Sequence, residues 1–212
     1  MHNTKHLAAL FDLDGVIIDT ESQYSHIWGT IGSTFRSDIE NFSEIIKGQT
    51  LTAILNKWFP NKETQNKVVD MLNEYESCMH YTYIAGADEY LRELRAKGIR
   101  TALVTSSNEP KMSNVRRAHE GFDCFFDAIV TAEKITHSKP HPECFLKAAE
   151  MLGIEPKDCI VFEDSFNGLA AGRAAEMMVV GLATTNPREA IADKADIIID
   201  NFCDAACRNI FD

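Results

Sequence analysis

The sequence predicts an α/β fold, a doubly wound parallel sheet of Rossmann-like form with a small helical cap domain inserted after the first strand. Two observations predict it. From about residue 87 onward, short apolar runs alternate with helix-like segments, the pattern of parallel strands covered on both faces. Before that point the alternation fails, because everything from about residue 19 to residue 83 reads as helical, too long for one crossover connection.

In chain order, residues 7–11 form the first buried strand. The insertion then supplies helical stretches at 38–46, 51–58 and 64–79, hinged on the two chain passages near 17–20 and 81–86. A helix at 87–97 leads to a strand at 101–105, a helix at 109–118 and a strand at 128–130. Helix 142–152, strand 159–162, helix 167–175 and strands 179–182 and 197–199 complete the core, with Gly98 and Gly153 placed as helix stops. The expected division is a core of residues 1–18 and 83–212 and a cap of residues 19–82.

At 212 residues the chain is long enough for one substantial core with a small accessory domain. A formal net charge of -11 argues against a nucleic-acid backbone or an anionic membrane as partner, since both would be repelled on average. An acidic protein that handles anions must therefore concentrate positive charge locally. The six cysteines lack CxxC pairs and no signal peptide is visible, so a reduced, cytoplasmic setting is expected. Cys203 and Cys207 sit four apart, but no His or further Cys nearby completes a metal set.

Ligands of an open parallel sheet bind at the carboxyl ends of its strands. Four such ends carry polar residues: Asp12 and Asp14 after the first, Thr105 to Asn108 after the second, Lys139 after the third, Glu163 and Asp164 after the fourth. Singly, each has an ordinary explanation, such as helix capping for Ser and Asn or a dipole partner for Glu and Asp. Together, Asp12, Glu163 and Asp164 make a hard oxygen site suited to Mg²⁺. The hydroxyls of Thr105, Ser106 and Ser107 with Lys139 make an anion hole of phosphate size. That combination describes phosphoryl transfer.

With "DLDGVIIDTE", "VTSS", "SKPHPECF" and "VFEDSFNGLAAG" in that order, the chain resembles the haloacid dehalogenase superfamily along essentially its whole length. Within it, the resemblance is to the branch of β-phosphoglucomutase and the small sugar-phosphate phosphatases. The resemblance implies that Asp12 is the nucleophile, forming an aspartyl-phosphate, and Asp14 the general acid/base. It further implies that Asp12, the backbone carbonyl of Asp14, Asp164 and Glu163 hold Mg²⁺, while Thr105 and Lys139 bind the phosphoryl group. Asp14 points to phosphate esters rather than carbon–halogen bonds. The need for a cation is plain from Coulomb's law: a carboxylate about 4 Å from one negative charge costs roughly 4 kcal/mol at an effective dielectric of about 20.

Ser106, Ser107 and Asn108 of the core, with Lys47, Gly48 and Gln49 of the cap, are the candidate substrate contacts, and Trp58 is a further cap candidate. Asp19 and Glu21 are expected to shape the hinge, with Thr20 capping the first insertion helix. Asn167 is expected to brace the metal loop, Gly168 and Gly172 to let a helix pack closely, and His137 and His141 to lie in a surface loop. Leu51, Asn108 and Glu109 stand where family mutases carry the arginine, lysine and asparagine of a second phosphate site, and Glu109 would repel that phosphate. Lys47, Lys111 or Arg116 are the residues that could compensate. The expectation is a monomeric, magnesium-dependent phosphatase acting on a small phosphorylated metabolite, a sugar phosphate by preference. The alternatives are a β-phosphoglucomutase and, more remotely, a non-catalytic phospho-accepting signalling module, which would have no use for the insertion or for Asp14.

Overall fold

The computed structural model describes residues 7–211, so residues 1–6 of the expected first core segment and Asp212 of the second lie outside the described residues. The elements run β1 (Ala8–Phe11), β2 (Ile18–Asp19), α1 (Glu21–Phe35), α2 (Phe42–Ile45), α3 (Leu51–Trp58), α4 (Lys62–Cys78) and β3 (Thr82–Tyr83). They continue with α5 (Ala87–Ala96), β4 (Arg100–Val104), α6 (Glu109–Ala118), β5 (Ala128–Val130), α7 (Glu143–Leu152), β6 (Cys159–Glu163), α8 (Phe166–Ala174), β7 (Met178–Leu182), α9 (Arg188–Ile191) and β8 (Ile197–Ile199). Among the described residues, six strands pair in parallel in the order β5-β4-β1-β6-β7-β8.

The doubly wound form follows from period-two alternation in β1. Ala9 and Phe11 pack into one apolar cluster with Leu91 and Leu94 of α5 and Met112 and Val115 of α6. Ala8 and Leu10 face the opposite cluster with Phe145 and Ala148 of α7 and Leu169 of α8. A strand buried on both faces has no polar position to spend, which is why it reads as a continuous apolar run. Phe11 also stacks on Phe162 of β6, with centroids 4.6 Å apart.

Register places the chemistry. Phe11 is level with Leu103 of β4 and Phe162 of β6, so the next residue of each chain, Asp12, Val104 and Glu163, reaches the carboxyl edge together. β1 lies between β4 and β6, where the strand order reverses, and such a switch point opens a crevice beyond the strand ends.

The two hinge passages are themselves ordered as an antiparallel ribbon, Ile18 opposite Tyr83 and Asp19 opposite Thr82. Between them α1 to α4 enclose their own cluster of Ile27, Trp28, Ile31, Phe42, Ile46, Ile54, Phe59, Val68 and Leu72. The predicted helix at 38–46 shrinks to Phe42–Ile45. Upstream of it Arg36 closes a turn instead, with Nε and Nη2 donating to Asp38 and Nη1 to the Trp58 carbonyl at 2.7 Å, and Asn41 takes the left-handed conformation. Asn61, overlooked in the sequence, caps α4 by accepting from the backbone N–H groups of Glu63 and Thr64.

Candidate active site

Asp12, Lys139 and Glu163 form a buried triad at the switch point. Lys139, 1% exposed, donates from Nζ to Asp12 Oδ1 at 2.5 Å, Glu163 Oε1 at 2.6 Å and the Val104 carbonyl at 3.2 Å, which accounts for its three protons. The other Glu163 oxygen accepts from the backbone N–H groups of Asp164 and Ser165 and from the Ser165 hydroxyl. Gly168 is glycine for the sake of this carboxylate, because a Cβ there would collide with it. Close helix packing is the task of Gly172, whose Cβ would meet Val179 at 3.0 Å and Val161 at 3.2 Å.

Asp164 stands beside the triad. Its Oδ2 accepts from the Thr185 hydroxyl, and its carbonyl accepts from Asn186 Nδ2 at 2.9 Å. Gly15, at φ +73°, brings the chain so near that a Cβ would strike the Asp164 carboxylate. One ligand atom each from Asp12, Glu163 and Asp164 fall within 4.8 Å of one another. Burial drives the Asp12 carboxyl up to about 8, with Lys139 opposing and Glu163 and Asp14 adding to the rise. Burial, then the charges of Glu21, Glu163 and Asp12, pushes Asp164 well above the carboxylate range. Burial alone would lower Lys139, but Asp12 and Glu163 overrule it and hold the ammonium charged.

One lysine thus faces three converging carboxylates. The donor set, all hard oxygens and short of positive charge, fits a divalent cation such as Mg²⁺. The Asp14 side chain lies outside this set.

The Asp14 carboxylate is engaged elsewhere: Oδ1 accepts from the Thr20 hydroxyl and from Lys111 Nζ, and Oδ2 accepts from Ser107 Oγ at 3.0 Å. Thr20 therefore does not cap α1 as the sequence suggested; the helix begins with no side-chain cap. Glu21 likewise exceeds its expected hinge role, since its carboxylate lines the cavity between cap and core. Among the described residues its Oε2 has no hydrogen-bond donor, Lys47 Nζ standing 3.6 Å away, and burial together with the Asp14 charge pushes the acid up to about 7. Asp19 stays at the surface.

The remaining candidates divide. Thr105 is buried and its hydroxyl accepts from the Ser107 N–H at 3.0 Å. Ser106, Ser107, Asn108, Lys47, Gly48 and Gln49 all line the cavity. Several of their polar atoms are already committed: Ser106 Oγ donates to the Gly48 carbonyl at 2.8 Å, Asn108 Oδ1 caps α6 by accepting from the Lys111 N–H, and Gln49 Nε2 donates to the Ile45 carbonyl. Lys47 pairs with Glu44 at 3.0 Å besides Glu21. Asn167, expected to brace the metal loop, instead donates across to the Lys47 carbonyl at 2.6 Å. With Thr50 Oγ1 3.1 Å from Ser138 Oγ, these bonds seat the cap loop on the core.

Trp58 is outside the cavity, its ring bearing the cationic heads of Arg36 and Lys57 at 5.4 Å and 4.7 Å from its centroid, and Trp28 lines the cavity instead. Glu109 is turned out to Arg116, at 2.8 Å, and does not reach the cavity. His137 and His141 are exposed loop residues, His137 Nδ1 lying 2.8 Å from Glu143.

Sequence reasoning left out Glu76 and Thr185, gave Thr20 only a capping role, took Tyr24 only as the residue standing where family mutases have a hinge histidine, and named Lys111 only as a stand-in. Two signals were present. Lys111 shares an inward stripe with Met112 and Val115, an odd place for a lysine. Thr185 follows a fifth strand end, that of β7, to which the strand-end rule applied equally.

The family model for haloacid dehalogenase-like hydrolases matches residues 7–176. Hexitol phosphatase B of Escherichia coli is 29% identical over 200 residues, 88% of this chain and 90% of the relative. The β-phosphoglucomutase of Bacillus subtilis is 32% identical over 195 residues, covering 85% of this chain and 84% of the relative. Among solved structures, a β-phosphoglucomutase from Clostridium difficile superposes with a TM-score of 0.74 at 28% identity, covering 92% of this chain and 91% of that one.

Proposed function

Since the chain belongs to the haloacid dehalogenase-like hydrolases and is an enzyme of their phosphatase or phosphomutase kind, we propose that it is a magnesium-dependent phosphatase acting on a small phosphorylated sugar or polyol. The observation that carries this reading is the charge state of the cavity. Among the described residues its two lysines are already matched by carboxylates, Lys111 by Asp14 and Lys47 by Glu21 and Glu44, so none of those residues offers a free cation to the second phosphate of a sugar bisphosphate. The phosphatase relative fits this, and the mutase relative keeps the alternative acceptor, a sugar hydroxyl, in view.

In the proposed reaction an Asp12 oxygen attacks phosphorus while the ester oxygen leaves and takes the proton of Asp14. Water then attacks the aspartyl-phosphate, giving its proton to Asp14 and releasing inorganic phosphate and the Asp12 carboxylate. Lys139 keeps Asp12 oriented, and Thr105 meets the phosphoryl group. Asp12 and Asp164, the Asp14 carbonyl and neighbouring Glu163 would hold Mg²⁺, which when bound offsets the charge of nucleophile and phosphate. The α1 to α4 unit, residues 19–82, acts as the cap that excludes water. A monomer suffices, because every group named lies in one chain.

The test is to incubate the protein and Mg²⁺ with a panel of sugar, polyol and nucleoside phosphates, and separately with β-glucose 1-phosphate plus a trace of the 1,6-bisphosphate. Release of inorganic phosphate from a sugar or polyol ester is expected. Formation of glucose 6-phosphate without phosphate release would establish the mutase instead. Turnover of no ester would leave the signalling module.

A further inference from the structure

Three donors meet on the Asp14 carboxylate, and they differ in kind. The hydroxyls of Thr20 and Ser107 are neutral and come from short loops. Lys111 is charged, 3% exposed, and fixed to the first turn of α6, a helix whose start is pinned by the Asn108 cap and by Pro110. Its ammonium also lies 4.1 Å from the centroid of the Tyr24 ring, and the Tyr24 hydroxyl is itself anchored by donating to Glu76 Oε1 at 2.6 Å. A buried lysine costs desolvation unless it is paired and hydrogen-bonded, and here the paired group is the acid/base residue.

We propose that Lys111 is a positioning residue for the chemical step: it holds the Asp14 carboxyl at the angle from which its proton reaches the departing ester oxygen. The proposal rests on the reading of Asp14 as acid/base given above. The geometry explains why the loop after β4 and the helix that follows it act as one device. Thr105 at the strand end meets the phosphoryl group, and Lys111, six residues on, sets the group that serves the leaving oxygen. It also explains why this lysine, although it borders the cavity, is not offered to substrate: its ammonium is already held by the Asp14 carboxylate and the Tyr24 ring.

The prediction concerns leaving groups. Proton donation matters for an ester whose alcohol leaves poorly and hardly at all for one whose alcohol leaves as a stable anion. Phenyl phosphate and 2,4-dinitrophenyl phosphate provide that contrast. In Lys111→Met, kcat for phenyl phosphate relative to kcat for the dinitrophenyl ester is expected to fall about tenfold or more, because general acid catalysis is worth about 10²–10⁴ in rate and depends on sub-ångström placement. Lys111→Arg, which keeps the charge, should recover a large part of that ratio. Equal losses on both esters in Lys111→Met would overturn the proposal, since they mark a structural defect. Should that variant fail to fold, Ser107→Ala carries the same test, as it removes the donor to the other Asp14 oxygen without burying an unpaired charge. A wild-type protein inactive on both these esters and on the sugar and polyol panel would refute the phosphatase reading itself, whereas an active wild type with an unchanged ratio in the variants refutes only the role of Lys111.

Discussion

Asp12 and Lys139 pair at 2.5 Å in a place where each would be costly alone, and this mutual dependence sets what single substitutions do. Asp12→Asn removes the proposed nucleophile but leaves Lys139 its bond to Glu163, so turnover should fall at least about 10³-fold while the thermal midpoint stays within a few degrees, as a melt monitored by circular dichroism would read. Gly168→Ala tests the opposite case, in which every site side chain is kept and only its support is disturbed. The added methyl meets the Glu163 carboxylate, so a loss of about 1–3 kcal/mol in a denaturant melt is expected together with reduced kcat. Asp12, Asp14, Lys139 and Asp164 were legible in the sequence because strand ends fall after apolar runs, and a carboxylate or lysine there stands out. Glu21 and Lys111 were not legible in the same way. Their roles depend on how a helix from the cap and a helix from the core are rotated about their axes, which spacing along the chain does not encode.

At the scale of elements, the strands of the parallel sheet were readable nearly to the residue, because a buried parallel strand leaves no polar position to blur its ends, whereas the two-residue ribbon of β2 and β3 went unread. Helix α6 matched its expected span of 109–118 for a related reason: Asn108 and Pro110 make an unmistakable start. The cap was read less well. Its second helix was predicted at 38–46 and exists only as Phe42–Ile45, since Arg36 and Asp38 hold the preceding residues in a turn whose partner, the Trp58 carbonyl, is distant in sequence. The loop between α2 and α3 carries the element-scale prediction. Gly48 has φ +77°, and a Cβ there would sit 3.0 Å from Ser165 Oγ and 3.1 Å from Asn167 Cβ. Gly48→Ala should therefore cost about 1–2 kcal/mol of loop conformation and lift the cap from the core. The expected signature is a rise in KM larger than any fall in kcat, with faster proteolytic cleavage in the cap loop.

For the whole molecule, a net charge of -11 and a cluster of buried acids at the switch point make stability depend on pH and on cations together. Asp12 at about 8 and Glu21 at about 7 lie above their unfolded values near 4, so the metal-free folded protein binds more protons than the unfolded chain between those limits. Its stability should accordingly decline as pH rises from about 4 to about 8. Mg²⁺ reverses the penalty where the acids are forced to ionise. At about a hundred times its dissociation constant a ligand adds about 2.7 kcal/mol, or about 5–10 °C for a chain of this size. Differential scanning calorimetry should find the Mg²⁺-induced rise larger at pH 8 than at pH 5.5, and a rise independent of pH would count against a cation among these carboxylates. The bonds that seat the cap have a different reach. Ser106 and Asn167 grip the carbonyls of Gly48 and Lys47, and every amino acid presents a carbonyl at those points. Side chains facing the cavity from this loop are thereby uncoupled from the bonds that seat it. Lys47 or Gln49 could therefore be exchanged while the loop stays seated on the core, which makes the loop a natural target for reshaping the cavity by directed mutation.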